Sequence, residues 1–114
     1  MKMTNMDGFN SLVSLKDLHE SGRLGFAIAR NIHKLESELS DYIEKRDDLI
    51  QKYGELDENN QYVVKADWIP EFLKELDEYG SLEFEFQPQL VDEETFCSGG
   101  LTSDQMYILD WMVS

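Results

Sequence analysis

Apolar residues recur along the middle of this chain with a helical period. Leu24, Ile28, Ile32, Leu35, Leu39 and Tyr42 are separated by 4, 4, 3, 4 and 3 residues. Ile43, Leu49, Ile50 and Tyr53 extend the stripe. The spacing predicts one amphipathic helix with a near-heptad seam over about 24–53. Gly54 then stands where a left-handed C-cap residue is favoured. Thirty helical residues span about 45 Å, whereas a compact domain of this size has a radius of gyration near 13 Å. The seam therefore needs an antiparallel element along it, or a second copy of the chain in a homodimer through the long helix.

Weaker patterns flank this helix. Thr4-Asn5-Met6-Asp7 has the form of a capping box. Phe9, Leu12, Val13, Leu15 and Leu18 follow at helical spacing and predict a helix over about 5–20, broken by Ser21-Gly22. Glu55 to Asn60 reads as a polar turn, and Tyr62-Val63-Val64 as a short strand. Asp67 offers an N-cap, with Pro70 in the first turn, for a third helix closed by Tyr79-Gly80. Leu82, Phe84 and Phe86 alternate with Glu83, Glu85 and Gln87, the period of a strand with one buried and one acidic face. Val91 to Gly100 reads as an irregular loop. Thr102-Ser103-Asp104-Gln105 is a second capping box, with Leu101 and Met106 at staple positions, ahead of a closing helix.

These elements predict a mostly α fold with a minor β component (α+β): a long amphipathic helix packed by shorter helices and a two-stranded sheet. The two predicted strands flank the third helix, and they pair with each other or by a more irregular route. At 114 residues the chain fits one domain, 1–114, with a helical part (1–53) and an acidic α+β part (54–114). Hydrophobic residues make up 41 %, with aromatics to bury, which argues against disorder. A single cysteine, Cys97, precludes an internal disulfide and fits a reducing compartment. No apolar run approaches the ~18 residues of a membrane span, and Met1-Lys2-Met3-Thr4 lacks the apolar core of a signal peptide. The expected location is cytoplasmic.

No catalytic constellation emerges. His19 and His33 have no partner at zinc-ligand spacing. The neighbours of Cys97 match no nucleophile signature. Asp57-Glu58-Asn59-Asn60 has the look of a calcium loop, but Tyr62 stands where that loop needs Gly and Trp68 where it needs the closing Glu. The acid pairs Asp47-Asp48, Glu83/Glu85 and Asp92-Glu93-Glu94 read as solvated. The expectation is a protein without enzymatic activity, cofactor or metal. Lys34, Lys45, Arg46 and Lys52 are interleaved with acids, the pattern of a salt-bridged helix face and not of a nucleic-acid surface.

Charge changes the picture most. The chain carries a formal net charge of −14. From Gly54 onward there are fifteen acids against two bases, Lys65 and Lys74. Such acids keep a small protein soluble. Gathered on a surface, they also attract cationic partners in a salt-sensitive way. Duplex DNA carries one charge per about 1.7 Å, so thirteen net charges correspond to about 22 Å of duplex. Glu71, Glu75 and Glu78, four and three residues apart, predict one acidic row on the third helix. Glu83 and Glu85, with Asp92, Glu93 and Glu94 nearby, predict another. These eight are the candidate partner-binding residues.

Several segments together resemble a known family. They are Ile28-Ala29-Arg30-Asn31-Ile32-His33-Lys34-Leu35-Glu36, Leu49-Ile50-Gln51-Lys52-Tyr53-Gly54-Glu55, Asp57-Glu58-Asn59-Asn60 before Tyr62-Val63-Val64, and Asp104-Gln105 with Leu109-Asp110-Trp111-Met112. This order resembles a family of small proteins of unknown function from tailed phages and prophages of Gram-positive bacteria. The resemblance implies a phage origin and a cytoplasmic life in an infected bacterium, and it brings no site residues. With the charge segregation, the expectation is a phage or prophage inhibitor of a host nucleic-acid-handling protein, of anti-CRISPR or anti-restriction type, acting by nucleic-acid mimicry. Its partner is the basic surface of a nuclease or CRISPR effector. The alternative is a virion assembly component working through its long helix.

Overall fold

In the computed structural model, which describes residues 1–114, the chain starts as a strand, β1 (Lys2–Thr4), and turns at once into α1 (Asn5–Lys16). Thr4 makes that turn: its Oγ1 accepts the Asp7 amide at 3.1 Å. α1 stops four residues short of the expected Glu20. Its end tightens, with the Asp17 amide donating to Ser14 O and the Leu18 amide to Leu15 O. Gly22, with φ of 66°, begins the next helix.

The long helix is two helices, α2 (Gly22–Glu38) and α3 (Ser40–Tyr53). The break is at Leu39, whose ψ of 3° leaves the helical region. Ser40 Oγ donates to Ser37 O at 3.2 Å, the back-bonding by which serine competes with a helix and bends it. The two helices still run on end to end. Their 32 residues account for about 48 Å at 1.5 Å per residue, against a longest molecular dimension of 47 Å. The seam is covered from within the chain: α1 packs on α2, and α4 (Ile69–Gly80) packs on α3.

Two strands missed in the sequence settle the pairing. β2 (Gly54–Leu56) forms an antiparallel hairpin with β3 (Tyr62–Val64), and β1 pairs antiparallel with β4 (Glu83–Glu85). The expected partners β3 and β4 therefore do not pair with each other. Gly54 opens β2 in extended conformation, φ −111° and ψ 170°, and is not a left-handed cap. It is small for a different reason: a Cβ there would strike the Ile50 carbonyl and lie 3.0 Å from Val63 O. The hairpin turn rests on Asp57, whose Oδ1 accepts the Asn59 and Gln61 amides, with Asn60 at φ 59°. Asp67 is not an N-cap. It lies inside a 3₁₀ turn, Ala66–Trp68, that leads into α4.

The expected loop after Val91 contains a short helix, α5 (Glu93–Cys97). The chain ends with α6 (Ser103–Ile108) and a 3₁₀ turn at Asp110–Met112. The Thr102–Gln105 capping box is made in both directions. The main core gathers Leu12, Leu15, Leu24, Ile28, Leu35, Leu39, Phe86, Leu109 and Met112 among others; a smaller one joins Tyr42, Leu49 and Leu76 beneath α4. The architecture is mostly α with a minor β component, as the patterning predicts, but the β part is two antiparallel pairs where one two-stranded sheet is expected.

Candidate functional site

α4 turns Phe72, Leu76 and Tyr79 toward α3 and leaves Glu71 and Glu78 exposed. Glu75, between them, is not part of a free acidic row. Its Oε1 accepts from Lys52 Nζ at 2.9 Å and from the Tyr53 hydroxyl. The Tyr53 hydrogen bond, followed by that of Lys52, holds the Glu75 carboxyl below its ordinary pKa. The same carboxylate raises the pKa of both Lys52 and Tyr53. Glu75 is a fold contact, tying α4 to the last turn of α3.

On the β1–β4 pair, Met3 lies opposite Phe84 on the inner face, while Lys2 and Thr4 lie opposite Glu85 and Glu83 on the outer one. Glu83 and Glu85 thus share one exposed face, as their alternation predicts. Glu85 lies opposite Lys2 in the ladder and pairs with the Met1 amino group at 3.4 Å. Glu83 has only Thr4 opposite it.

Asp92 caps α5. Its Oδ1 accepts the Thr95 amide at 2.7 Å. Hydrogen bonding from Thr95 lowers its pKa, and the nearby Arg23 adds to the shift. Glu93 and Glu94, in the first turn, remain exposed.

The three acidic groups are strung along the molecule. α4 is tied to the last turn of α3 through Lys52 and Tyr53. Glu85 sits beside His33–Glu38 of α2. Asp92 lies near Arg23, in the first turn of α2. The structure brings the pairs and triplets together but does not merge them into one row. Of the ten Lys and Arg side chains, Lys45 lies over the ring of Tyr79, Arg46 over Phe9 and Arg30 over Phe26. Four carboxylates, Glu36, Glu55, Glu75 and Glu85, make ion pairs. That leaves 20 of the 24 acids without one.

The sequence reading missed two features. Asn31, fully buried on the apolar face of α2, donates Nδ2 to Gln89 O at 3.0 Å and accepts the Gln89 amide at 2.8 Å. It pins the extended stretch after β4 along α2. The signal was a polar residue inside an apolar stripe. The other feature is a groove beside β1, built from segments far apart in the chain. No group of three or more His, Cys, Asp or Glu side chains stands in metal-holding geometry, and no helix is long and apolar enough to cross a membrane. No family model, no curated protein and no solved structure matches this chain.

Proposed function

We propose that this protein is a non-enzymatic phage or prophage accessory factor that binds the cationic surface of a host nucleic-acid-handling protein and keeps nucleic acid out of it. A nuclease or CRISPR effector is the class of target. The observation that carries the reading is the field of uncompensated carboxylates on a body 47 Å long. A net charge of −14 equals that of about 24 Å of duplex DNA. Of the eight candidates, Glu71, Glu78, Glu83, Glu93 and Glu94 are free to face a partner; Glu75 and Asp92 hold the fold together, and Glu85 is paired with the Met1 amino group. Charges of this kind steer and select a partner, and a fixed apolar anchor supplies most of the affinity.

The test is affinity capture from a Gram-positive bacterial lysate at low and high salt, followed by competition with duplex DNA. The expected result is a captured nucleic-acid-handling protein that is released as salt rises and displaced by DNA. Changing the five free glutamates to Lys abolishes capture. A captured partner that holds equally well after that reversal overturns the proposal.

A further inference from the structure

We infer that the groove between β1, α1 and α6 is the docking site for an extended, basic segment of a partner protein, which adds to the open edge of β1 as a further strand. The inference rests on the cationic-partner reading above and names the part of the partner that is gripped.

Three observations converge on it. The first is the open edge. Met1 and Phe86 exchange both backbone hydrogen bonds, at 2.8 and 2.9 Å. In an antiparallel ladder the next residue is then a non-bonded position. The amides of Lys2 and Thr4 therefore point away from β4. A strand with such groups exposed is a template for pairing with an extended peptide.

The second is the space beside that edge. A groove of about 960 Å³ follows Met1–Thr4 and continues between α1 and the C-terminal segment. Its lining is mixed, and the exposed apolar side chains in it are Val13 on α1 and Tyr107 and Ile108 on α6, with Tyr107 82 % exposed. Trp111 lines the groove and is already fixed. Its Nε1 donates to Ser11 Oγ at 3.2 Å, and its ring packs edge-on against Phe86 at 5.4 Å. An anchor held in place before binding loses little conformational freedom when a partner arrives.

The third is charge. Asp7, Glu83 and Asp110 line the groove against the single side-chain cation Lys2. An incoming strand alternates its side chains between faces. The fit is a segment with bulky apolar residues toward Val13, Ile108 and Trp111 and with Lys or Arg toward the three carboxylates.

The probe is a short peptide alternating Lys with Val around a central Trp, added to the isotopically labelled protein at low salt. The control is a peptide of equal charge with Pro in place of each Val, which cannot pair as a strand. The alternating peptide is expected to shift the Lys2 and Thr4 amides and slow their hydrogen exchange, and to bind roughly tenfold or more tightly than the control. Lys2→Pro and Lys2→Val both remove the charge, but only the first removes the outward amide. Lys2→Pro is expected to lose the tight binding while Lys2→Val keeps it. Val13→Lys, on an exposed wall, weakens it as well and serves if Lys2→Pro fails to fold. Equal binding of both peptides, with shifts at Glu71, Glu93 and Glu94 and none at β1, overturns the groove and leaves the acidic-surface reading standing. No binding of the alternating peptide overturns the groove too. Tight binding at β1 with no salt-sensitive partner in a lysate overturns the nuclease reading and leaves the groove standing.

Discussion

Asn31 ties α2 to the chain that follows β4. It sits one helical turn from both Ile28 and Leu35, where an apolar side chain is expected, and its amide is fully buried. Both its donor and its acceptor are spent on the backbone of Gln89. Replacing it with Ala leaves the N–H and C=O of half-buried Gln89 without partners, which costs about 1 kcal/mol or more. Asn31→Ala is expected to lower the unfolding free energy read from a urea titration by about that amount, with an earlier midpoint, while far-UV circular dichroism stays unchanged. Along with Asp92, Glu75 contributes to the pH dependence. Its folded pKa is depressed, so its contribution is present above the unfolded value of about 4.3 and lost as pH falls through the folded one. Lys52 and Tyr53 have raised pKa values. Their contribution is present below about 10 and lost as pH rises further. Glu75→Gln is expected to be less stable than the parent at neutral pH and to lose less on acidification, as read by denaturant titration at both conditions.

At the scale of elements, the local signals were readable and the partners were not. Thr4 and Thr102 act over three residues, so their caps are visible in the sequence. The start of α5 carries a similar signal, Asp92 three residues before Thr95 with two acids between, next to the glycines that favour a loop. The split at Leu39 was hidden because α2 and α3 keep one continuous apolar stripe while the backbone bends. Gly54 shows how one residue can be right for a different reason. It marks the end of α3, but the cause is the close approach of the Ile50 carbonyl and of β3, not a left-handed turn. Gly54→Ala is therefore expected to loosen the β2–β3 hairpin and speed hydrogen exchange at Val63 and Val64, while exchange in α1 and α2 is unchanged.

At the scale of the whole molecule, self-repulsion accompanies a charge of −14. Screening it favours the folded state. The thermal midpoint is expected to rise with added sodium chloride, and a gain of about 1 kcal/mol corresponds to roughly 4 °C. A midpoint that falls with salt would mean that the ion pairs outweigh the repulsion. Partner binding is expected to move the opposite way, since the same screening weakens attraction to a cationic surface.

Helical period, the N-caps at Thr4 and Thr102, the exposed alternation of Glu83 and Glu85 and the overall charge were all determined by the sequence, because each depends on residues within a turn or two of one another or on a sum over the chain; of the two expected capping boxes only Thr102–Gln105 closes in both directions. Tertiary structure alone decided which strands pair, how the acids are distributed, that Glu75 and Asp92 are tied into the fold, and that a groove lies beside β1. Those outcomes join residues as far apart as Lys2 and Glu85, or Ser11 and Trp111. Contacts across such distances are selected by packing and hydrogen-bond closure in three dimensions, and a short three-residue strand carries too little information to name its partner.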